Sequence, residues 1–186
     1  MPADLSRGEL RHRIRTACGW LGDRTDEYRY ADMTGWWRSP DLLAALGPAL
    51  AGLFAADRPT IVLGIESQGC LLGPLVAVAL GVGFVEIRKN FGPSSDSDAW
   101  VHRTTPPDYR DRHLSLGLRT RLLGSGDRAL LVDDWIETGG QAIAAQLLAF
   151  DREATWLGVA TVVDGLSVNR VRRRLNVRSL VHQRDL

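Results

Sequence analysis

The chain has 186 residues, 45% of them hydrophobic, and a formal net charge of +1 at pH 7. That is enough chain and apolar content for one domain with a sizeable core, and it excludes wholesale disorder. A charge so near zero gives no global pull toward nucleic acid or anionic membrane, and two distant cysteines, Cys18 and Cys70, make neither a disulfide framework nor a zinc site.

Residues 5–18 suit a helix, with Leu10, Ile14 and Ala17 on one face. Residues 19–39 are aromatic and polar without a period, and read as irregular structure, a flap or a short strand. Ser39 then caps a helix that has Pro40 in its first turn and runs to about residue 55. An alternation of strands and helices follows. Residues 60–65 form a β-branched apolar strand, 69–80 a buried helix stopped by Gly81, and 84–87 another strand. Residues 90–111 are rich in Gly, Pro, Ser, Asp and Thr and read as a long mobile loop. Strands are expected at 114–122, 129–132, 156–163 and 177–182, with a helix at 141–150. Strands alternating with helices predict an α/β fold with a mostly parallel sheet flanked by helices, and a ligand at the carboxyl ends of the strands.

No apolar run reaches a membrane span, the N-terminus has no apolar signal core, and the four histidines are scattered. A cytoplasmic enzyme or binding protein without a membrane partner is expected. Arginine supplies nearly all the positive charge, since Lys89 is the only lysine. The densest basic run, residues 169–175, reads as solvated surface; it has no interleaved aromatics, so a nucleic-acid partner is not expected.

The segment most rich in chemistry follows the strand at 129–132. Asp133 and Asp134 stand at its end, and Thr138-Gly139-Gly140 precede a helix. Glycines let backbone N–H groups turn toward an anion, and the following helix adds its N-terminal dipole. Paired carboxylates can accept from two ribose hydroxyls or face Mg²⁺ through water. There is no Gly-Lys-Ser/Thr, so this is not a P-loop.

This segment resembles the signature of type I phosphoribosyltransferases: an apolar strand, paired acids, two apolar residues and a Thr-Gly-Gly-Thr type loop. Residues 64–74, Gly-Ile-Glu-Ser-Gln-Gly-Cys-Leu-Leu-Gly-Pro, look like the Gly-Ile-Glu-Ala-Arg-Gly-Phe stretch of the adenine phosphoribosyltransferases. Residues 81–89, the triplet Asp32-Met33-Thr34 and the tail at Ser179-Leu180-Val181 are also similar to that family.

The resemblance implies one type I phosphoribosyltransferase-like domain over residues 1–186, with a hood at about 19–37 and a mobile loop at about 90–112. It implies transfer of a 5-phosphoribosyl group from phosphoribosyl pyrophosphate to a purine-type nucleobase or related acceptor, with Mg²⁺, in a homodimer. In this reading Asp133 and Asp134 hold the ribose hydroxyls and lie near the developing positive charge. The loop of Glu137, Thr138, Gly139, Gly140 and Gln141 holds the 5′-phosphate, while Ser67, Gln68, Arg88 and Lys89 face the pyrophosphate.

Four residues depart from the pattern. Gln68 stands where the adenine enzymes carry an arginine, Gln141 where a threonine ends the phosphate loop, and Trp135 and Glu137 replace aliphatic and small residues. The loop at 90–112 contains no glutamate. The alternative is a regulator that binds a phosphoribosyl ligand without turnover, or one that binds nucleic acid.

Overall fold

The computed structural model describes residues 5–22, 25, 30–89, 99–105 and 114–186. Helix α1 (Arg7–Ala17) starts at Ser6, whose hydroxyl accepts from the Glu9 N–H, and buries Leu10 and Ile14 one turn apart. Residues read as irregular hold an antiparallel strand pair, β1 (Gly19–Leu21) and β2 (Tyr30–Asp32), and a short helix α2 (Thr34–Arg38). Asp32 caps α2, accepting from both the N–H and the hydroxyl of Thr34 at 3.0 and 2.7 Å. That hydroxyl bond is the main reason its carboxyl is pulled below the ordinary range. Helix α3 (Pro40–Gly52) has Ser39 as its cap, as the sequence predicts.

The large sheet has seven strands among the described residues, in the order β5-β6-β4-β3-β7-β8-β9. They are β3 (Ile61–Ile65), β4 (Gly83–Lys89), β5 (Trp100–Thr104), β6 (Ser115–Arg119), β7 (Arg128–Ile136), β8 (Thr155–Asp164) and β9 (Val177–His182). Strands β4, β3, β7, β8 and β9 run parallel, while β6 and β5 add antiparallel to one edge. Helices α4 (Gly69–Leu80), α5 (Gly140–Asp151) and α6 (Asn169–Leu175) connect the parallel strands. Both faces are covered: Leu42, Leu46, Leu72 and Val76 pack with Val62, Leu130 and Val132 on one side, and Ala145 and Leu148 with Leu63 and Leu131 on the other. Continuous apolar runs in the central strands are what a sheet buried on both faces requires.

Three expectations change. The expected loop at 90–111 contains β5, whose residues Trp100–Thr104 pair with Arg119–Ser115 of β6; the rest of it, 90–98 and 106–111, lies outside the described residues. The arginine run is a helix whose Arg170, Arg173 and Arg174 are exposed as expected, while Arg172 is not simple surface. Arg172 is tied to the buried carboxylate of Asp164, with Nε 2.5 Å from Oδ2, and Arg174 donates to the Gln146 side chain. Strand β7 continues four residues past the expected end at Val132. It outruns β3, whose last partner is Val132, and Asp133, Trp135 and Ile136 pair with β8 alone.

That overhang positions the site. From β3 the chain crosses to β4 on one side, and from β7 to β8 on the other, so the connections diverge between adjacent strands. A crevice at the carboxyl ends is the geometric result of such a switch point.

Candidate active site

A cavity of about 540 Å³ opens at this switch point. One wall is the predicted segment: Asp133, Glu137, Thr138, Gly139, Gly140 and Gln141 all line it. Lys89, at the end of β4, brings in the ammonium of the chain's single lysine. The β1–β2 pair with its flank also lines it, through Trp20, Tyr30, Ala31 and Met33. Of the hood tyrosines, Tyr30 lines the cavity and Tyr28 lies outside the described residues.

The two acids do not share a position. Leu131 and Asp133 line the cavity, while Asp134, one residue on, takes the other face of the strand and is buried. They remain electrostatically joined. The Asp134 N–H donates to Asp133 Oδ1 at 3.0 Å, and Asp134 Oδ1 accepts from the Trp135 N–H at 2.8 Å. Burial pushes the Asp133 carboxyl well above its ordinary range, and the neighbouring Asp134 charge pushes it further, with Lys89 opposing. Burial raises Asp134 too, against hydrogen bonds that favour its charged form. A low-dielectric carboxyl facing a lysine is a ready partner for a polar, cation-bearing ligand.

At the other end of the segment the Thr138 hydroxyl accepts from the Gly140 N–H at 3.3 Å. Gly139 caps α5 in the left-handed region, φ +80°, and no side chain caps this 12-residue helix. Beyond Gly140, whose N–H meets Thr138, the first N–H groups of the helix are thus available to an anion. Gly139 has a second reason to be glycine. A Cβ there would lie 2.8 Å from Val171 Cγ1 on α6, so its bare side faces the packing of α6.

Ser67, Gln68 and Arg88 are not among the cavity-lining residues. Ser67 and Gln68 follow β3, next to β7, where Glu66-Ser67 is a cis peptide and Gln68 is the residue before α4. The Gln68 Oε1 atom is buried and accepts no hydrogen bond. Arg88 lies against Glu86 at 3.1 Å and Glu66 at 3.6 Å, so its charge is already met by two carboxylates. Glu66 also accepts from the Lys89 N–H at 2.8 Å, which links the turn after β3 to the end of β4. Lys89 is therefore the cation this strand offers to the cavity.

Sequence reasoning missed Trp20, Met33 and Gln183 as cavity residues. Trp135, read only as a departure, also lines the cavity and meets Trp20 edge to face, with ring centroids 6.4 Å apart. A larger cavity, about 640 Å³, opens beside it between Asp164, Arg172, His182 and Arg184. Size does not make it the site. Arg172 spends its charge on Asp164 there, whereas Asp133, Glu137–Gln141 and Lys89 line the other cavity.

Among curated proteins, an adenine phosphoribosyltransferase of Acidovorax sp. (strain JS42) is 32% identical over 157 residues, covering 83% of this chain and 81% of that one. The adenine phosphoribosyltransferase of Paracidovorax citrulli is 34% identical over 164 residues, covering 87% and 85%. The chain belongs to the adenine phosphoribosyltransferase family. It is an enzyme of the pentosyltransferase type. No family model matches it. The solved adenine phosphoribosyltransferase of Rhodothermus marinus superposes with a TM-score of 0.79 at 26% identity, over 94% of this chain and 99% of that one. The Saccharomyces cerevisiae enzyme, solved with adenine and an iminoaltritol bisphosphate, gives 0.76 at 26% identity, over 93% and 99%.

Proposed function

We propose that the chain transfers a 5-phosphoribosyl group from phosphoribosyl pyrophosphate to a purine-type nucleobase and releases pyrophosphate. One observation carries this reading: a single cavity is lined by Asp133 and Glu137–Gln141, by Lys89, and by the aromatics Trp20, Tyr30 and Trp135. A ligand with a phosphate end, a ribose and a flat base matches that order.

In this reading the helix α5 N-terminus, Thr138 and Gly140 hold the 5′-phosphate. A nitrogen lone pair of the base forms a bond to the anomeric carbon while that carbon's bond to the pyrophosphate oxygen breaks, and the ring N–H proton of the base passes to solvent or to the departing pyrophosphate. The sugar passes through a state with oxocarbenium character, and the Asp133 carboxylate stabilises its positive charge. Lys89 meets the developing negative charge on pyrophosphate, with Ser67 and Gln68 as neutral donors. Asp134 acts through Asp133 from the far side of the strand. Glu137 and Gln141 flank the phosphate loop.

Mg²⁺ belongs with the substrate in this reading. Among the described residues no group of three or more His, Cys, Asp or Glu is placed to hold a metal ion. Mg²⁺ keeps several waters and takes one or two carboxylates plus substrate phosphates, which fits Asp133 beside a bound pyrophosphate. When bound it would supply charge neutralisation.

The whole chain works as one unit in this proposal, with residues 19–37 as the hood over the base and 90–112 as the segment that closes over the site. No helix of the described residues is long and apolar enough to cross a membrane. Action in the cytoplasm and assembly as a homodimer complete the proposal.

The test is a panel of nucleobases incubated with phosphoribosyl pyrophosphate and Mg²⁺, reading pyrophosphate release. Release that depends on a purine is expected. Gln68, a neutral side chain where a cation is expected, favours one other reading, a sensor that binds without turnover. Tight binding of phosphoribosyl pyrophosphate with no release for any base would select it.

A further inference from the structure

The β1–β2 pair is pinned at its root. β1 leaves α1 through Cys18, and β2 runs into α2 through Met33. The two connections lie together: Gly19 pairs with Asp32, and a Cβ built on Gly35 of α2 would lie 2.3 Å from the Ala17 carbonyl oxygen of α1. Only glycine permits that approach, so packed helices fix this end. At the other end Leu21 stands opposite Tyr30, both exposed. Among the described residues no strand ladder joins the pair to the seven-stranded sheet. Trp20 reaches across instead. It is the half-buried residue of β1, and its ring meets Trp135 of the β7 overhang at an interplanar angle of 86°, the edge-to-face arrangement aromatic pairs favour. Trp135 is seated from behind. It pairs with Val163 of β8, and the Gly165 N–H donates to the carbonyl of the next residue, Ile136, at 2.8 Å. A Cβ built on Gly165 would lie 2.8 Å from Trp135 Nε1, so the glycine after β8 leaves the room in which the indole sits. Both tryptophans line the cavity.

We propose that the Trp20–Trp135 contact is the joint that holds the β1–β2 pair over the acceptor end of the cavity, which makes both tryptophans positioning residues for the acceptor base. The inference rests on the purine-transfer reading above. A strand pair pinned at its root has to be ordered before it can cover a ligand, and a contact that orders it in advance removes that cost from binding. The benefit falls on the ligand that the pair covers. Phosphoribosyl pyrophosphate does not share it, because Asp133, Lys89 and the start of α5 belong to the large sheet and its helix. The two rings also work as a unit. Removing either one opens the joint, and removing the second finds it already open, so the two losses do not add. Two rings that each bordered the base independently would give losses that multiply.

The experiment measures kcat and KM for adenine and for phosphoribosyl pyrophosphate in the wild type, Trp20→Leu, Trp135→Leu, the double variant and Trp135→Phe. Each leucine variant should raise KM for adenine about fivefold, the size of one edge-to-face pair. The double variant should raise it no more than about fivefold as well, where independent rings would give about 25-fold. In all of them kcat and KM for phosphoribosyl pyrophosphate should stay within about twofold. Trp135→Phe keeps a ring in the joint and should bring KM for adenine back to within about twofold of the wild type. Trp20 lies outside the large sheet and is only half-buried, so Trp20→Leu and Trp135→Phe decide the matter even where Trp135→Leu does not fold. An unchanged KM for adenine in Trp20→Leu, losses that multiply in the double variant, or an equal rise in KM for phosphoribosyl pyrophosphate would overturn the joint and leave the transferase reading standing. If the wild type releases no pyrophosphate with any purine, both fall.

Discussion

At the end proposed for the phosphoribosyl group, the cavity is lined by one stretch of chain, Asp133 and Glu137 to Gln141, coming off a strand and into a helix. At its acceptor end it is assembled from separate places: Trp20 and Tyr30 near the N-terminus, Trp135 on the β7 overhang and Gln183 at the last turn. The two constructions have different freedoms. A turn whose backbone meets a phosphate is held by glycines and by a helix start, and a change there alters the fold and the ligand together. Side chains that reach in from separate elements can be exchanged singly. The phosphoribosyl end should therefore break by orders of magnitude, and the acceptor end by factors.

The largest expected effect is at Asp133. Asp133→Asn removes the charge facing the reacting carbon and should lower kcat on the order of 10²–10³-fold, the cost typical of losing one electrostatic stabiliser. Asp134→Asn should cost less, since Asp134 is buried on the other face of the strand and acts through its neighbour. Steady-state kinetics on both variants decides. Equal losses would mean that the two carboxyls act as one unit and that the strand's alternation does not sort them.

Next comes a separation of fold from ligand within the turn. Gly139→Val has to adopt φ +80° and meets Val171 on α6, so it should lose roughly 2–4 kcal/mol of stability, read by denaturant unfolding. Loss of binding in that variant says nothing by itself about a phosphate. Thr138→Val keeps the shape and removes the hydroxyl. It should raise KM for phosphoribosyl pyrophosphate about fivefold with little change in unfolding, and an unchanged KM would take Thr138 out of the phosphate loop.

Gln68→Arg probes the pyrophosphate side. It replaces a buried, unpartnered amide oxygen with a cation, and Arg88 is already engaged by Glu66 and Glu86. A charge-assisted bond to the leaving group should raise kcat about tenfold. A fall in kcat would show that the glutamine has a role of its own.

The smallest effect is on stability against pH. The folded Asp133 carboxyl is raised by burial first and by Asp134 second, so it keeps its proton to higher pH than the unfolded chain does. Between the ordinary carboxylate range, about 4, and that raised value, the folded state binds more protons, and stability falls as pH rises through the window. In EDTA, Tm of Asp133→Asn should vary less over that window than Tm of the wild type and lie above it at neutral pH. Parallel curves for the two proteins would contradict the assignment of the shift.

The contrast between the two ends also explains what could be read from the chain alone. The strands at 61–65, 83–89 and 128–136 have apolar runs bounded by turn residues, and the helix at 69–80 has Gly81 as its stop, so both the order of elements and the glycine turn before α5 were legible. The overhang of β7 was not. Asp133 and Asp134 look like the end of a strand, and only pairing with β8, a long-range contact, keeps them in one. Strand β5 was hidden because Trp100–Thr104 is a polar edge strand inside a Gly- and Pro-rich stretch. Arg172 looked like surface because its partner, Asp164, sits at the end of another strand. Gln183 gave no local sign at all; its place follows from β9 lying beside β8, which no residue near it announces.

The most direct test of the account is the identity of the product. Phosphoribosyl pyrophosphate, Mg²⁺ and adenine are incubated with the wild-type protein, and the quenched mixture is resolved by mass spectrometry alongside a pyrophosphate assay. The account predicts adenosine 5′-monophosphate and pyrophosphate in equal amounts, with neither accumulating in Asp133→Asn over the same time. Pyrophosphate released without nucleotide, or nucleotide formed equally well by Asp133→Asn, would contradict it.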